Sequence, residues 1–138
     1  EKDFNFKYVK KYLCKKNKNI KNTLLDQKFL SGVGNIYASE ILNYSKINPL
    51  KPSSKLKSNE IKKIIFYTKK ILFRSIKKGG TTINNFLSVK GHKGSYQKEF
   101  RAYDREGRRC KNNLCLGTII KVNLSKRSTY MCNICQKK

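Results

Sequence analysis

Acidic residues are scarce in this chain of 138 residues: eight Asp and Glu stand against 33 Lys and Arg, leaving a formal charge of +25. With so little internal neutralisation, a polyanionic partner is expected, because each phosphate neutralised releases condensed counterions. Lys, Asn and Ile are plentiful throughout, so compositional drift supplies part of the charge. Long apolar runs are also missing. No stretch approaches the roughly 20 residues that span a bilayer, and no signal-peptide pattern opens the chain, so a cytoplasmic protein with no membrane partner is expected. There is one histidine, His92, in a glycine-bearing stretch with no second ligand near it in sequence, so it reads as a solvated loop residue and not as a metal ligand. Neither an internal repeat nor a low-complexity tract is present.

What is present divides into two textures. Phe4, Tyr8, Val9, Tyr12 and Leu13 recur at helical spacing and predict a first helix over about 5–15, followed by a brief helix near 22–26. In "SGVGN" the glycines punctuate a turn, Asn35 is a candidate N-cap, and Ile36, Tyr37, Ile41 and Leu42 can face a core. Pro49 and Pro52 end that segment. A long amphipathic helix is expected over about 59–77, capped by Ser58, with Ile61, Ile64, Ile65, Thr68, Ile71, Leu72 and Ile76 on one stripe and Gly79-Gly80 as its stop. Another short helical pattern lies near 83–87, and "SVKGHKGSYQ" over 88–97 reads as a loop or hinge. Beyond it, "TIIKVN" and "RSTYM" read as a β-hairpin turning at 124–126. The expected fold is mainly α with a small β-hairpin finger, and the expected boundary separates residues 1–99 from 100–138.

Four of the five cysteines fall in the second unit. Cys110 and Cys115 are separated by four residues, Cys132 and Cys135 by two, with sixteen between the pairs. Two knuckles bridged by a hairpin suit a tetrahedral Zn²⁺ held by four thiolates. Two disulfides are the competing arrangement, which belongs to secreted chains. About forty residues cannot bury a core of their own, so a metal would drive the folding of this unit. Four thiolates close the coordination shell, so one structural zinc is expected and not a catalytic one. Cys14, beside Leu13 in the first helix, is expected to be a small buried hydrophobe.

Two features suit phosphate. A glycine turn feeding a helix N-terminus, with Gly34 and Asn35 at the junction, offers free N–H donors and a favourable dipole. It also suits a tight packing joint between helices, and the surrounding basicity favours phosphate. At the hairpin tip Lys126 and Arg127 can straddle a groove or remain a solvated turn, and arginine pairs bidentately with phosphate.

"DQKFLSGVGNIYASEIL", "GGTTINNFL", "GHKGSYQKEFRAYDREG" and the terminal C-x4-C-x16-C-x2-C followed by "QKK" resemble the bacterial formamidopyrimidine-DNA glycosylases over essentially the whole chain. Endonuclease VIII is the nearest sibling family; "GGTT" and "CQKK" are more similar to the former. The resemblance implies a helix–two-turns–helix DNA-binding domain followed by a four-cysteine zinc ribbon. It implies excision of oxidised purines such as 8-oxoguanine and formamidopyrimidines, with nicking of the abasic site by β,δ-elimination. The partner implied is double-stranded DNA with a damaged base or abasic site, bound by a monomer that flips the base from the stack. By the same resemblance Asn35 with Gly34 holds phosphate near the lesion. Arg127, beside Lys126, grips neighbouring phosphates and serves the δ-elimination. Tyr103 and Lys16 contact DNA, and 88–96 is a lid. Two departures stand out: the first knuckle has four residues where many members have two, and "KGSY" replaces a "PGYF"-like lid. The family's nucleophile is an N-terminal proline amine, whereas this chain opens "EKDFNF" and its prolines are Pro49 and Pro52. The expectation is therefore a DNA-binding part of a longer enzyme, inactive in base excision by itself. The alternatives are an endonuclease VIII-like enzyme for oxidised pyrimidines and a non-enzymatic zinc-ribbon nucleic-acid-binding protein.

Overall fold

A computed structural model describes residues 4–30, 32–77 and 100–137. Its elements run α1 (Phe6–Leu13), α2 (Ile20–Leu25), α3 (Asn35–Ser45), a 3-10 turn (Ser53–Lys55), α4 (Ser58–Lys77), β1 (Ile119–Leu124) and β2 (Arg127–Cys132). The expected stop at Gly79-Gly80, the helical pattern near 83–87, His92 and the 88–97 loop all lie outside the described residues.

Each short helix begins at an asparagine. Asn5 accepts a hydrogen bond from the Tyr8 N–H (2.9 Å), and Asn19 accepts one from the Asn22 N–H (2.8 Å). Each thus satisfies one of the donors left open in a first turn. α4 is started differently from the expectation that Ser58 caps it. Ser58 is already helical, and Glu60 reaches back to the Lys57 N–H (2.8 Å), the carboxylate half of a capping box.

The main core gathers Val9 and Leu13 of α1, Ile20 and Leu24 of α2, Ile36, Ile41 and Leu42 of α3, and Ile61, Ile64 and Ile71 of α4. Burying each aliphatic side chain contributes roughly 1.5–3 kcal/mol. The stripe on α4 runs 61, 64, 68, 71, 75, so Ser75 is buried and Ile76 is 79% exposed, against the expectation that Ile76 faced the core. A periodicity of 3.6 carries the stripe from Ile71 to Ser75 and leaves Ile76 on the neighbouring face. Cys14 also departs from expectation. It is exposed at the C-cap of α1, where its thiol donates to the Lys11 carbonyl (3.3 Å). The helix ends there, and the residue falls outside the Val9–Leu13 stripe.

The hairpin pairs Ile119 with Cys132 through to Leu124 with Arg127. Its two-residue turn, Ser125-Lys126, has positive φ at both positions (51° and 66°), the backbone twist that suits adjacent antiparallel strands. A small second core, Ala102, Cys110, Ile119, Tyr130 and Cys132, lies beneath it.

Polar groups lock the two units together. The Glu40 carboxylate on α3 accepts from the backbone N–H groups of Arg101 (2.7 Å), Ala102 (2.9 Å) and Tyr103 (2.7 Å). Gln136, fully buried, accepts from the Asn43 amide and the Cys132 N–H and donates to the Ile47 carbonyl. Asn112 donates to the Asn43 carbonyl. The finger is thereby fixed in orientation against α3, which sets where the hairpin tip points.

Candidate nucleic-acid interface and metal centre

The four cysteine sulfurs lie within 4.8 Å of one another. Cys110 and Cys135 are 3.7 Å apart and Cys115 and Cys132 are 3.6 Å apart, too far for a disulfide, whose sulfurs sit about 2 Å apart. A tetrahedron with metal–sulfur bonds of about 2.3 Å has edges of ~3.8 Å, so the cluster can hold a metal ion. Backbone N–H groups point at the sulfurs as well. Asn112 donates to Cys110, Gly117 to Cys115, and Ile134 and Cys135 to Cys132, at 3.3–3.5 Å. Such donors stabilise thiolate charge. Gly117 is required by sterics: a Cβ there would run into the Cys132 sulfur and sit 3.1 Å from both Asn133 Oδ1 and Ile134 Cβ.

The hairpin reaches back to the start of α3. Gly34 is the N-cap and Asn35 is the first helical residue, one position later than expected for a cap. Freed from capping, the Asn35 amide nitrogen donates to the Ser128 carbonyl of β2 (2.9 Å), and its oxygen accepts from the Lys21 ammonium. Lys21 also donates to Thr129 Oγ1 (2.8 Å). Its side chain is fully buried, and burial, with the nearby Arg127 charge, pushes its pKa down to about 8. No carboxylate pairs with it among the described ion pairs, which are Lys18–Asp26 and Lys51–Glu60. A buried cation beside a helix N-terminus, with a second cation in range, is an arrangement that an incoming anion completes.

The sequence did not single out Lys21. The one local signal is its neighbours: Ile20, Thr23 and Leu24 are all buried in the same short helix.

Gly34 and Gly32 do different work. Gly32 has φ +91°, which favours glycine for backbone reasons. At Gly34 φ is −102°, which any residue adopts, and a Cβ would meet nothing within 4 Å. Packing within the chain therefore does not demand glycine at 34.

The remaining sequence candidates separate. Arg127 and Lys126 are exposed at the hairpin end, beside Asn35 and Lys21 through Ser128 and Thr129. The Tyr103 ring is half-buried between Phe100 and Tyr130, edge-on to both (5.8 and 5.0 Å), and burial raises its pKa. Lys16 is placed over the Tyr12 ring (4.8 Å), on the α1 side. No contact joins it to the Asn35 cluster among the described residues.

The family model for the formamidopyrimidine-DNA glycosylase H2TH domain matches residues 1–87. The chain belongs to the formamidopyrimidine-DNA glycosylase family. Family members of similar sequence include the formamidopyrimidine-DNA glycosylase of Zymomonas mobilis, 40% identical over 98% of this chain and 49% of the relative. That of Prochlorococcus marinus strain NATL1A is 44% identical over 98% of this chain and 47% of the relative. Among solved structures, the Lactococcus lactis enzyme non-covalently bound to DNA containing an AP site superposes with a TM-score of 0.88 at 34% identity, covering 99% of this chain and 48% of that one. A second Lactococcus lactis complex, with abasic-site DNA, gives 0.91 at 35% identity, covering 99% and 49%. The chain spans about half the length of the curated relatives it matches. The mostly helical architecture with a two-stranded hairpin and clustered cysteines is that of the family.

Proposed function

We propose that this chain is the DNA-gripping part of a base-excision glycosylase and AP lyase that removes oxidised purines, 8-oxoguanine and formamidopyrimidines, from duplex DNA. The observation that carries this reading is the convergence of Lys21, Asn35 and the Arg127 hairpin at the open N-terminus of α3. Gly34 leaves room there for a phosphodiester to approach the first N–H groups of the helix, and Lys21 supplies the countercharge. Arg127, always protonated and forked, takes the neighbouring phosphate and serves the δ-elimination at the abasic site. Lys126, Tyr103 and Lys16 extend the contact along the backbone. Holding phosphates on both sides of a lesion favours a kinked duplex from which the base can leave the stack.

The metal in this reading is one Zn²⁺ on Cys110, Cys115, Cys132 and Cys135, and it supplies rigidity and no chemistry. The protein works as a monomer in the cytoplasm, with residues 1–99 and 100–138 as its two units. Base excision itself requires residues other than these 138.

Titrating the chain with an abasic-site duplex and with its undamaged counterpart tests the reading. Tighter binding of the abasic duplex is expected, with 8-oxoguanine duplex left uncut. Arg127→Ala should reduce the salt slope of binding by about one. Equal affinity for both duplexes would overturn the reading. In the full-length protein, preference for thymine glycol over 8-oxoguanine would reassign the substrate to oxidised pyrimidines.

A further inference from the structure

Helix α1 carries a cavity of which the interface above uses one lining residue, Lys16. Tyr8, Lys11, Tyr12 and Lys15 follow one another at helical spacing, and with Lys16 they line an open cavity of about 430 Å³. That volume lies at the small end of the ~300–1,000 Å³ range of ligand pockets. Its aromatic wall is fixed from behind. Tyr12 stacks on Phe29 with ring centres 4.6 Å apart, and Tyr8 stacks on Phe29 at 6.0 Å. The Tyr8 hydroxyl donates to the Phe29 carbonyl and the Tyr12 hydroxyl to Asp26 Oδ2, both at 3.1 Å. Both rings are therefore held before any ligand arrives, and Tyr8 remains 36% exposed.

The rim is basic. Lys11, Lys15 and Lys16 stand around the cavity, and neither described ion pair includes any of them. The closest acid in these contacts, Asp26, is already engaged by the Tyr12 hydroxyl, the Lys28 N–H and Lys18. A second copy of this chain is a poor occupant, since each carries +25. A paired duplex supplies phosphates for the lysines but hides its base faces from the rings. An unpaired nucleotide supplies both, and aromatic walls flanked by cations are what single strands use.

We propose that this cavity holds an unpaired nucleotide of a DNA strand, its base against Tyr8 and beside Tyr12, over whose ring Lys16 stands, and its phosphodiester among Lys11, Lys15 and Lys16. The proposal rests on the DNA-binding reading and extends it to strands that leave the duplex, such as a frayed or nicked end.

The full chain is titrated with an abasic-site duplex that is blunt, carries a four-nucleotide single-stranded tail, or carries the same tail without bases. The normal tail should tighten binding about tenfold, within the range for one stacked base, and the baseless tail by less than half of that factor. Lys11→Gln with Lys15→Gln, both exposed and so safe for folding, should remove the gain while blunt-end affinity changes less than twofold. Tyr8→Leu should do the same. A tail carrying 5-iododeoxyuridine should photo-cross-link to the peptide containing Tyr8 and Tyr12. No gain from the tail, an equal gain from the baseless tail, or cross-links mapped elsewhere would each overturn the proposal. So would capture of an acidic peptide by these lysines without any response to tailed DNA. Loss of blunt-duplex binding in the unaltered chain would sink the DNA-binding reading as well. Tight blunt binding without a tail effect removes this inference alone.

Discussion

Lys21 donates to Thr129 Oγ1 at 2.8 Å across 108 residues of chain, tying α2 to the finger's second strand. The same ammonium donates to Asn35, so one buried cation links both halves of the proposed interface. Its pKa, held near 8 by burial and the Arg127 charge, sets a pH window that ordinary lysines near 10.4 do not share. A bound phosphate favours the protonated form, so the association constant for abasic duplex should fall as pH rises through about 8, by up to tenfold per pH unit. Folding has the opposite sign. Between about 8 and 10.4 the unfolded chain binds more protons at this site than the native one, so stability without DNA should rise with pH. Binding curves from about pH 6.5 to 9.5 at fixed ionic strength check this, with Lys21→Met expected to bind weakly and without that pH step. A flat profile for the unaltered chain would remove Lys21 from the anion site.

Gly34→Ala separates the two roles a glycine can have here. The backbone at 34 suits alanine and the added methyl meets nothing within 4 Å, so the melting temperature should hold or rise slightly. If a phosphodiester packs against that position, affinity for abasic duplex should drop about tenfold. A variant that melts normally and binds normally would show that no backbone approaches Gly34.

Glu40 is a latch between the units, and its removal should be felt in folding. Burial raises its pKa, and the three N–H donors from Arg101, Ala102 and Tyr103, with the Arg101 charge, pull it back. Glu40→Ala leaves those donors buried without an acceptor, an expected loss of about 2–4 kcal/mol. Glu40→Gln should lose at least half of that, since an amide NH₂ would face N–H donors. Hydrogen exchange at amides 101–103 is the specific readout. Protection unchanged in Glu40→Ala would place the latch elsewhere.

The legible parts of this molecule were those whose physics is local. Four cysteines at knuckle spacing announce a cluster because ligand chemistry and loop length lie within one short stretch. Helix starts were visible to within a residue or two because apolar periodicity is local, although the two expected caps, Asn35 and Ser58, are themselves the first helical residues. Lys21 was not legible: it is one of 27 lysines, and its burial depends on Ser128 and Thr129 folding back from the far end. Glu40 sits inside a stretch that was singled out, yet its partners lie about sixty residues away. Asn35 was correctly placed at a helix start but its amide serves the hairpin, a contact across 93 residues. Ile76 and Cys14 misled because a hydrophobic residue near a helix end can fall off the buried stripe.

Metal removal should uncouple the interface and not simply loosen the finger. Without an ion, four thiols within 4.8 Å lose the bond that holds 110–115 against 132–135. β2 then no longer presents Ser128 and Thr129 to Asn35 and Lys21. Chelation should melt the hairpin and weaken abasic-duplex binding at least tenfold. Gly117→Ala should weaken metal affinity by a similar factor, since its methyl displaces the Cys132 sulfur. Duplex affinity that persists after the metal has been lost, by chelation or in Gly117→Ala, would refute this coupling.

The hairpin tip sets stability against grip in a single residue. Ser125 and Lys126 both occupy the left-handed region, which costs a non-glycine residue roughly 1–2 kcal/mol. Asn22 steadies the first of them through a 3.0 Å hydrogen bond to the Ser125 hydroxyl, whereas Lys126 is exposed. Lys126→Gly should relieve that strain and, less the entropy a glycine adds to the unfolded chain, stabilise the finger by about 0.5–1 kcal/mol. If Lys126 meets DNA, the same change should lower the salt slope of binding by about one. Lys126→Asn tests the two effects separately, because asparagine tolerates this conformation without carrying charge. A raised melting temperature together with an unchanged salt slope would mean that the lysine faces solvent even in the complex.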